Sequence, residues 1–319
     1  MLGLRHALLA SLLLALASTA AQAADTVAVR LKWFNQAQFA GFYVAQESGF
    51  YKEAGLDASI RPGGPDFPAI QMIVGGDEQF GVTSADQILV ARSKGVPVVA
   101  LAVLYRKSPF VLFSLKQSGV DTPEKFRSHK IGVKLGGNEE LIYRAILKKT
   151  AVSNGELTEL PVKFDLTPLL TGQIDVWPGY VINEVITARE KGFDVNIIWP
   201  SSYGLNFYAD TIFTTEKMIK EQPDVVKRFV AATLKGWNYA AAHPEEAARM
   251  TVKTSDKLTY PHELAMMKES LPLLQPDAQP IGSMQAAQWE ALHALLLQGG
   301  FIKATVELEK AYTTRFLAP

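Results

Sequence analysis

The 319-residue chain contains no cysteine. That excludes disulfides, thiolate catalysis, iron–sulfur clusters and zinc sites built on cysteine. Histidine is scarce, at five residues, so no metal site is expected. An excess of one charge is also missing: 32 Lys and Arg balance 32 Asp and Glu. Nucleic-acid binders need surplus cations to neutralise phosphates, so that class is set aside. Beyond the N-terminus, no apolar run approaches the ~20 residues of a membrane span. Catalytic signatures are absent as well. There is no Gly-x-Ser-x-Gly elbow and no His-Glu-x-x-His pair. No catalytic residue and no cofactor are expected.

What is present reads as an exported globular protein. Apolar residues make up 48%, with 23 Gly and 17 Pro, which is neither low-complexity nor disordered. At ~100–200 residues per domain, the length suits two domains. Residues 1–23 carry Arg5 and His6, then an apolar run from Ala7 to Ala17, then Ala21-Gln22-Ala23. This is the pattern of a signal peptide cleaved before Ala24, and it implies a periplasmic protein. No Cys stands at the cleavage site, so a lipoprotein is excluded.

Strands and helices then alternate. Strands are expected at Val27–Leu31, Leu56–Arg61, Phe80–Val82 and Val96–Val103, with helices at Phe39–Gly49 and from Ser84 to about Lys94. The pattern restarts with strands at Phe110–Leu115, Lys130–Val133, Pro161–Phe164, Ile174–Trp177 and Val195–Trp199. Helices are expected at Glu139–Thr150 and Tyr180–Lys191. From Thr211 the chain reads as mostly helical, a tail that offers no new sheet. The fold class is α/β. Two lobes with mostly parallel sheets are expected, joined by two crossovers around a central cleft. The first lobe takes residues 24–109 and 208–319, and the second takes 110–207. Two crossovers make a hinge, and the cleft is the expected ligand site.

Four loops carry the candidate binding residues. Trp33, Gln38, Phe39 and Tyr43 follow the first strand, where open parallel sheets bind ligands. Trp33 and Phe39 either face a ligand or plug the lobe's core. Ser84 and Asp86 open a helix, and Ser84 either caps it or meets the ligand. Gly137 and Asn138 stand between a strand and a helix, in a loop with no phosphate-binding signature. Trp177, Tyr180, Asn183 and Glu184 end the set. Glu184 either accepts a hydrogen bond from the ligand or pairs with Arg189 or Lys191. Arg106 and Arg144 are the nearest cations for an anionic ligand.

Gly41-Phe42-Tyr43-Val44-Ala45, the run Gly49 to Asp57 and Gly95-Val96-Pro97-Val98 resemble solute-binding proteins of ABC importers. Lys32-Trp33 and Gly172-Gln173-Ile174-Asp175-Val176 are similar to the branch related to thiamine pyrimidine synthase. The resemblance covers essentially the whole chain after the leader. It implies a type II periplasmic-binding-protein fold, with an ABC permease and its ATPase as partners and a monomer as the working form. It further implies a small planar N-heterocycle as ligand: hydroxymethylpyrimidine or formylaminopyrimidine, with riboflavin as the alternative. A sensory module docking on a receptor is another outcome of the same fold. The family's synthase uses a Schiff-base Lys and a sacrificial His. In this chain those positions fall on Thr83 and Gln87. The segment matching the enzyme's Cys-rich iron site, near Leu205 to Thr211, holds no Cys. The resemblance therefore implies binding rather than synthesis.

Overall fold

A computed structural model describes residues 23–275 and 279–317. Residues 1–22, most of the expected signal peptide, lie outside the described residues.

The chain alternates strand and helix through β1 (Asp25–Arg30), α1 (Ala40–Glu47), α2 (Phe50–Glu53), β2 (Leu56–Arg61), α3 (Ala69–Gly75), β3 (Phe80–Thr83), α4 (Ala85–Ser93) and β4 (Val98–Val103). It then crosses to β5 (Phe110–Leu115), β6 (Lys130–Val133), α5 (Asn138–Lys149), β7 (Thr158–Pro161), α6 (Thr167–Leu170), β8 (Val176–Tyr180), α7 (Glu184–Glu190) and β9 (Val195–Ile198). It returns through β10 (Thr211–Thr215) and ends in α8 (Glu216–Glu221), α9 (Pro223–Ala242), α10 (Pro244–Val252), α11 (Tyr260–Leu274), α12 (Ala286–Gly299) and α13 (Leu308–Ala311).

Two five-stranded sheets result, with orders β2-β1-β3-β10-β4 and β7-β6-β8-β5-β9. Each has four strands running one way and one reversed. β10 runs antiparallel to β3 and β4, and β5 runs antiparallel to β8 and β9. The reversed strand is in both cases the first after a crossover. Helices cover the sheets, so β4 (VVALAV) and β5 (FVLFSL) are buried along their whole length. Continuous apolar runs of this kind are what a sheet covered on both faces requires.

The C-terminal helices hold the first sheet. α9 presents Val226, Phe229, Val230 and Trp237 to the core. Phe229 stacks on Phe80, with ring centroids 3.8 Å apart, and on Tyr51. α9 crosses α1 at two glycines. A Cβ on Gly236 would meet the Gly41 carbonyl oxygen at 2.3 Å, and one on Gly41 would meet the Trp237 ring.

Three expectations need correction. The tail does add to a sheet: Thr211–Thr215 forms β10, in the interior of the first one. Its hydroxyl-rich sequence, TIFTT, hid a strand whose Thr211 and Thr214 are fully buried. The strand expected at Pro161–Phe164 lies three residues earlier, which leaves Phe164 in a loop. Tyr180 ends a strand rather than opening a helix, and α7 begins at Glu184.

Candidate functional site

The C-terminal ends of six parallel strands, three from each sheet, face one another across a cavity of about 640 Å³. The first sheet contributes Lys32 and Trp33 after β1, Gly64 and Pro68 after β2, and Thr83 and Ser84 at the end of β3. The second contributes Lys134 and Asn138 after β6, Phe164 after β7, and Tyr180, Asn183 and Glu184 from β8 onward. Strand ends leave backbone groups and loop side chains free to converge, which is why such sheets bind ligands there.

A polar network floors the cavity. Lys32 Nζ donates to Asp210 Oδ1 at 3.0 Å and, across the cleft, to the Tyr180 hydroxyl at 2.8 Å. The Gln38 amide donates to the second Asp210 oxygen at 2.8 Å, and Gln36 donates to Gln38 at 2.6 Å. Asp210 is fully buried, whereas the Lys32 side chain is 17% exposed. Burial opposes the Lys32 charge, but Asp210 and Tyr180 outweigh it and hold the ammonium above the usual lysine range. Burial also pushes the Tyr180 hydroxyl up to about 12, with Lys32 opposing.

A second pair sits on the facing lobe. Lys134 Nζ donates to Glu184 Oε1 at 3.0 Å and lies 3.7 Å from Glu139. Burial disfavours its charge, and the two carboxylates overcome that. The other Glu184 oxygen accepts from the Tyr180 backbone N–H at 2.9 Å. That fold-back needs Gly179, where a Cβ would meet the Glu184 Cβ at 2.9 Å. The resident lysines of the floor are thus each neutralised by carboxylates.

The aromatic element is Trp33. Its ring meets that of Phe164 from the opposite lobe edge-on, 4.6 Å between centroids and 65° between planes. Phe34 adds an edge contact on Trp33 at 5.1 Å. Lys134 lies over the Phe164 ring at 5.4 Å.

The expected residues separate into two groups. Trp33, Gln38, Ser84, Gly137, Asn138, Tyr180, Asn183 and Glu184 line the cavity. The Ser84 side chain makes no capping hydrogen bond to α4. Phe39, Tyr43, Asp86 and Trp177 do not line it. Phe39 and Trp177 are fully buried in the core, because one faces inward from the loop before α1 and the other from the interior of β8. Tyr43 is buried on α1 and donates to Asn35 at 3.1 Å. Asp86 is fully buried behind Ser84. It accepts from Gln87 at 2.9 Å, its Oδ1 has no hydrogen-bond partner among the described residues, and burial raises its pKa. Glu184 pairs with Lys134, not with Arg189 or Lys191. Arg144 is taken up by Glu159 and Glu140, and Arg106 lines a separate cavity of about 170 Å³ at the crossovers.

Sequence reasoning did not assign roles to Lys134, Phe164 or Asp210, and it used Lys32 only as part of a motif. Lys134 had a readable signal, since it directly follows a parallel strand, as Lys32 nearly does. Phe164 was hidden by the misplaced strand, and Asp210 by the missed β10.

The family described as "NMT1/THI5 like" matches residues 36–247. The chain belongs to this family. Within it, the chain is 27% identical to the formylaminopyrimidine-binding protein of Halalkalibacterium halodurans, over 92% of this chain and 91% of that one. It is 24% identical to the riboflavin-binding protein RibY of Chloroflexus aurantiacus, over 91% of this chain and 86% of that one. Other relatives are named as synthases of 4-amino-5-hydroxymethyl-2-methylpyrimidine phosphate. Among solved structures, the periplasmic aliphatic sulphonate binding protein SsuA from Escherichia coli superposes with a TM-score of 0.72 at 13% identity, covering 90% of this chain and 96% of that one. That likeness establishes a periplasmic-binding-protein fold and nothing about the ligand.

Proposed function

We propose that this protein is the solute-binding component of an ABC importer, exported to the periplasm and working as a monomer. It captures a small, planar N-heterocycle and presents it to the permease and its ATPase. The observation that carries the reading is Trp33, whose ring already takes an aromatic partner from the opposite lobe inside a cleft floored by amides and paired charges. A flat ring entering there meets an aromatic face. Gln38, Ser84, Asn138, Tyr180, Asn183 and Glu184 supply donors and acceptors for its edges. Neutralisation of Lys32 and Lys134 by carboxylates favours an uncharged ligand over a sulfonate or phosphate, which calls for an unpaired cation. The names of the two binding relatives support a thiamine pyrimidine precursor, with riboflavin second. The cavity volume favours keeping the larger ligand in view. The synthase reading lacks its chemistry: the cleft positions matched to the Schiff-base Lys and the sacrificial His hold Thr83 and Gln87.

The test is a thermal-shift panel on the chain from Ala24. It holds hydroxymethylpyrimidine, formylaminopyrimidine, thiamine, riboflavin, pyridoxal phosphate and an alkanesulfonate. A ligand at 100 times its Kd adds about 2.7 kcal/mol of stability. A shift with a heterocycle supports the reading. A shift with the sulfonate alone overturns the ligand class, and an absorbing pyridoxal phosphate adduct revives the enzyme.

A further inference from the structure

The two segments that join the sheets, residues 104–109 and 199–210, form the hinge. They are bonded to each other: the Leu104 N–H donates to the Asp210 carbonyl at 2.7 Å, and the Ala209 N–H donates to the Tyr105 carbonyl at 3.0 Å. The cavity of about 170 Å³ is lined by residues of both segments, together with Gln285 and Gln288 at the start of α12. It shares no lining residue with the cleft.

Its chemistry also differs from that of the cleft. There each lysine is matched by a carboxylate, whereas here no Asp or Glu is among the described residues of the lining. Lys107, on the first segment, holds its ammonium 4.2 Å from the centre of the Trp199 ring, on the second. It makes no ion pair with any described residue. Arg106 also lines the cavity and is already engaged within the protein. Phe110, Leu205 and Phe207 are buried apolar residues of the same lining. A cation over an aromatic face, beside apolar side chains, fits a compact apolar body that carries one negative charge. At roughly 20 Å³ per heavy atom, as in packed protein interiors, the cavity takes about eight or nine heavy atoms. Benzoate is of that size.

We propose that the hinge cavity is a second binding site, for a small apolar monocarboxylate, and that its occupant favours closed lobes. The carboxylate pairs with Lys107 Nζ, and the apolar body rests against Trp199, Phe110 and Phe207. Hinge residues absorb the backbone rotation when lobes move apart. Opening therefore shifts Lys107 relative to Trp199, because they stand on different segments. In the present arrangement the lobes touch through Lys32 and Tyr180. A ligand shaped to this arrangement binds the closed form better, and it shifts the lobes toward closure by that difference alone. The site stands whatever the cleft carries.

Calorimetry on the chain from Ala24 tests the site with benzoate and benzamide, which share size and shape and differ in charge. Benzoate should bind with a Kd below about 1 mM and at least tenfold tighter than benzamide. Lys107→Met should remove that preference. Ser201→Trp fills the cavity from the second segment, should weaken benzoate at least tenfold, and serves if the first variant unfolds. No benzoate binding in the millimolar range, equal affinity for the two probes, or binding that both variants leave intact overturns the site. X-ray scattering on wild type and on Tyr180→Phe, which lacks the bond across the cleft, reads the coupling. Benzoate should move one or both toward the closed particle. Scattering unchanged in both, with benzoate bound, overturns the coupling.

Discussion

Replacing Lys32 with Met should unbalance the floor of the cleft, and the size of the effect can be worked out. Asp210 is fully buried, with Lys32 at 3.0 Å and Gln38 at 2.8 Å as its side-chain donors. Removing one member of a buried pair costs about 3–5 kcal/mol, because the other charge is left uncompensated. Gln38 remains, and Lys32 is 17% exposed, so water reaches the vacated end. The lower end of that range, about 3 kcal/mol, therefore applies to Lys32→Met. In a chain of this size ~1 kcal/mol moves Tm by roughly 2 °C, so Tm should fall by about 6 °C. Asp210→Asn in the same background should recover most of the loss, because no bare carboxylate then remains. Circular-dichroism melts at pH 7.5 of the two single variants and the double variant measure this. A second set of melts at 1 M salt should give nearly the same differences, since buried charges are poorly screened. A loss under 2 °C for Lys32→Met, or strictly additive single and double variants, refutes the argument.

Tyr180→Phe deletes the hydroxyl that takes the Lys32 hydrogen bond across the cleft, and hydrogen bonds to charged groups contribute about 1.5–3 kcal/mol. X-ray scattering should therefore show a shift toward open particles, and ligand affinity should drop about tenfold or more. Trp33→Ala should weaken heterocycle binding by about tenfold or more while moving Tm little, since the ring is only half-buried and faces the cleft. Asp86→Asn addresses pH. Burial raises the Asp86 pKa, so its contribution to stability is full below the unfolded carboxylate range and is lost as pH rises through the folded value. The variant should therefore gain stability relative to wild type as pH climbs from 4 to 8, read as a rising Tm difference between the two. A gap that shrinks with rising pH contradicts the assignment. Phe229→Ala should cost about 3–5 kcal/mol by emptying the stack on Phe80 and Tyr51, and urea melts read it directly.

How much of this was legible depends on what each residue had to reveal. β2, β5 and β6 were readable to the residue because β2 alternates apolar and polar residues between Gly55 and Pro62, β5 is an apolar run after Pro109, and β6 ends short of the Gly136-Gly137 turn. The two-lobed plan was readable from the restart after Pro109. β10 was not, because its hydroxyls satisfy themselves on backbone carbonyls: Thr211 donates to Ala209 and Thr214 to Gln79. Those buried bonds cannot be inferred from local pattern. In the cleft, position within a loop was a better guide than residue type. Trp33 and Trp177 are the same amino acid at the end region of a strand. One sits three residues past β1 and lines the cleft, while the other sits within β8 and faces inward. Charge pairs were the least legible, since Lys32 and Asp210 are 178 positions apart.

The strand orders carry a consequence for assembly. β4 joins the first sheet through β10, whose residues follow their partners by 108 positions at Val103–Thr211 and by 117 at Val98–Thr215. In chain order, the lobe built from the middle of the chain has all five of its strands by Ile198. The lobe that starts first needs residues 211–215 to complete its sheet, because without them β4 has no strand of that sheet to pair with. The second lobe is thus self-sufficient in strands, whereas the first lobe's sheet stays divided until a strand is supplied from beyond the second lobe.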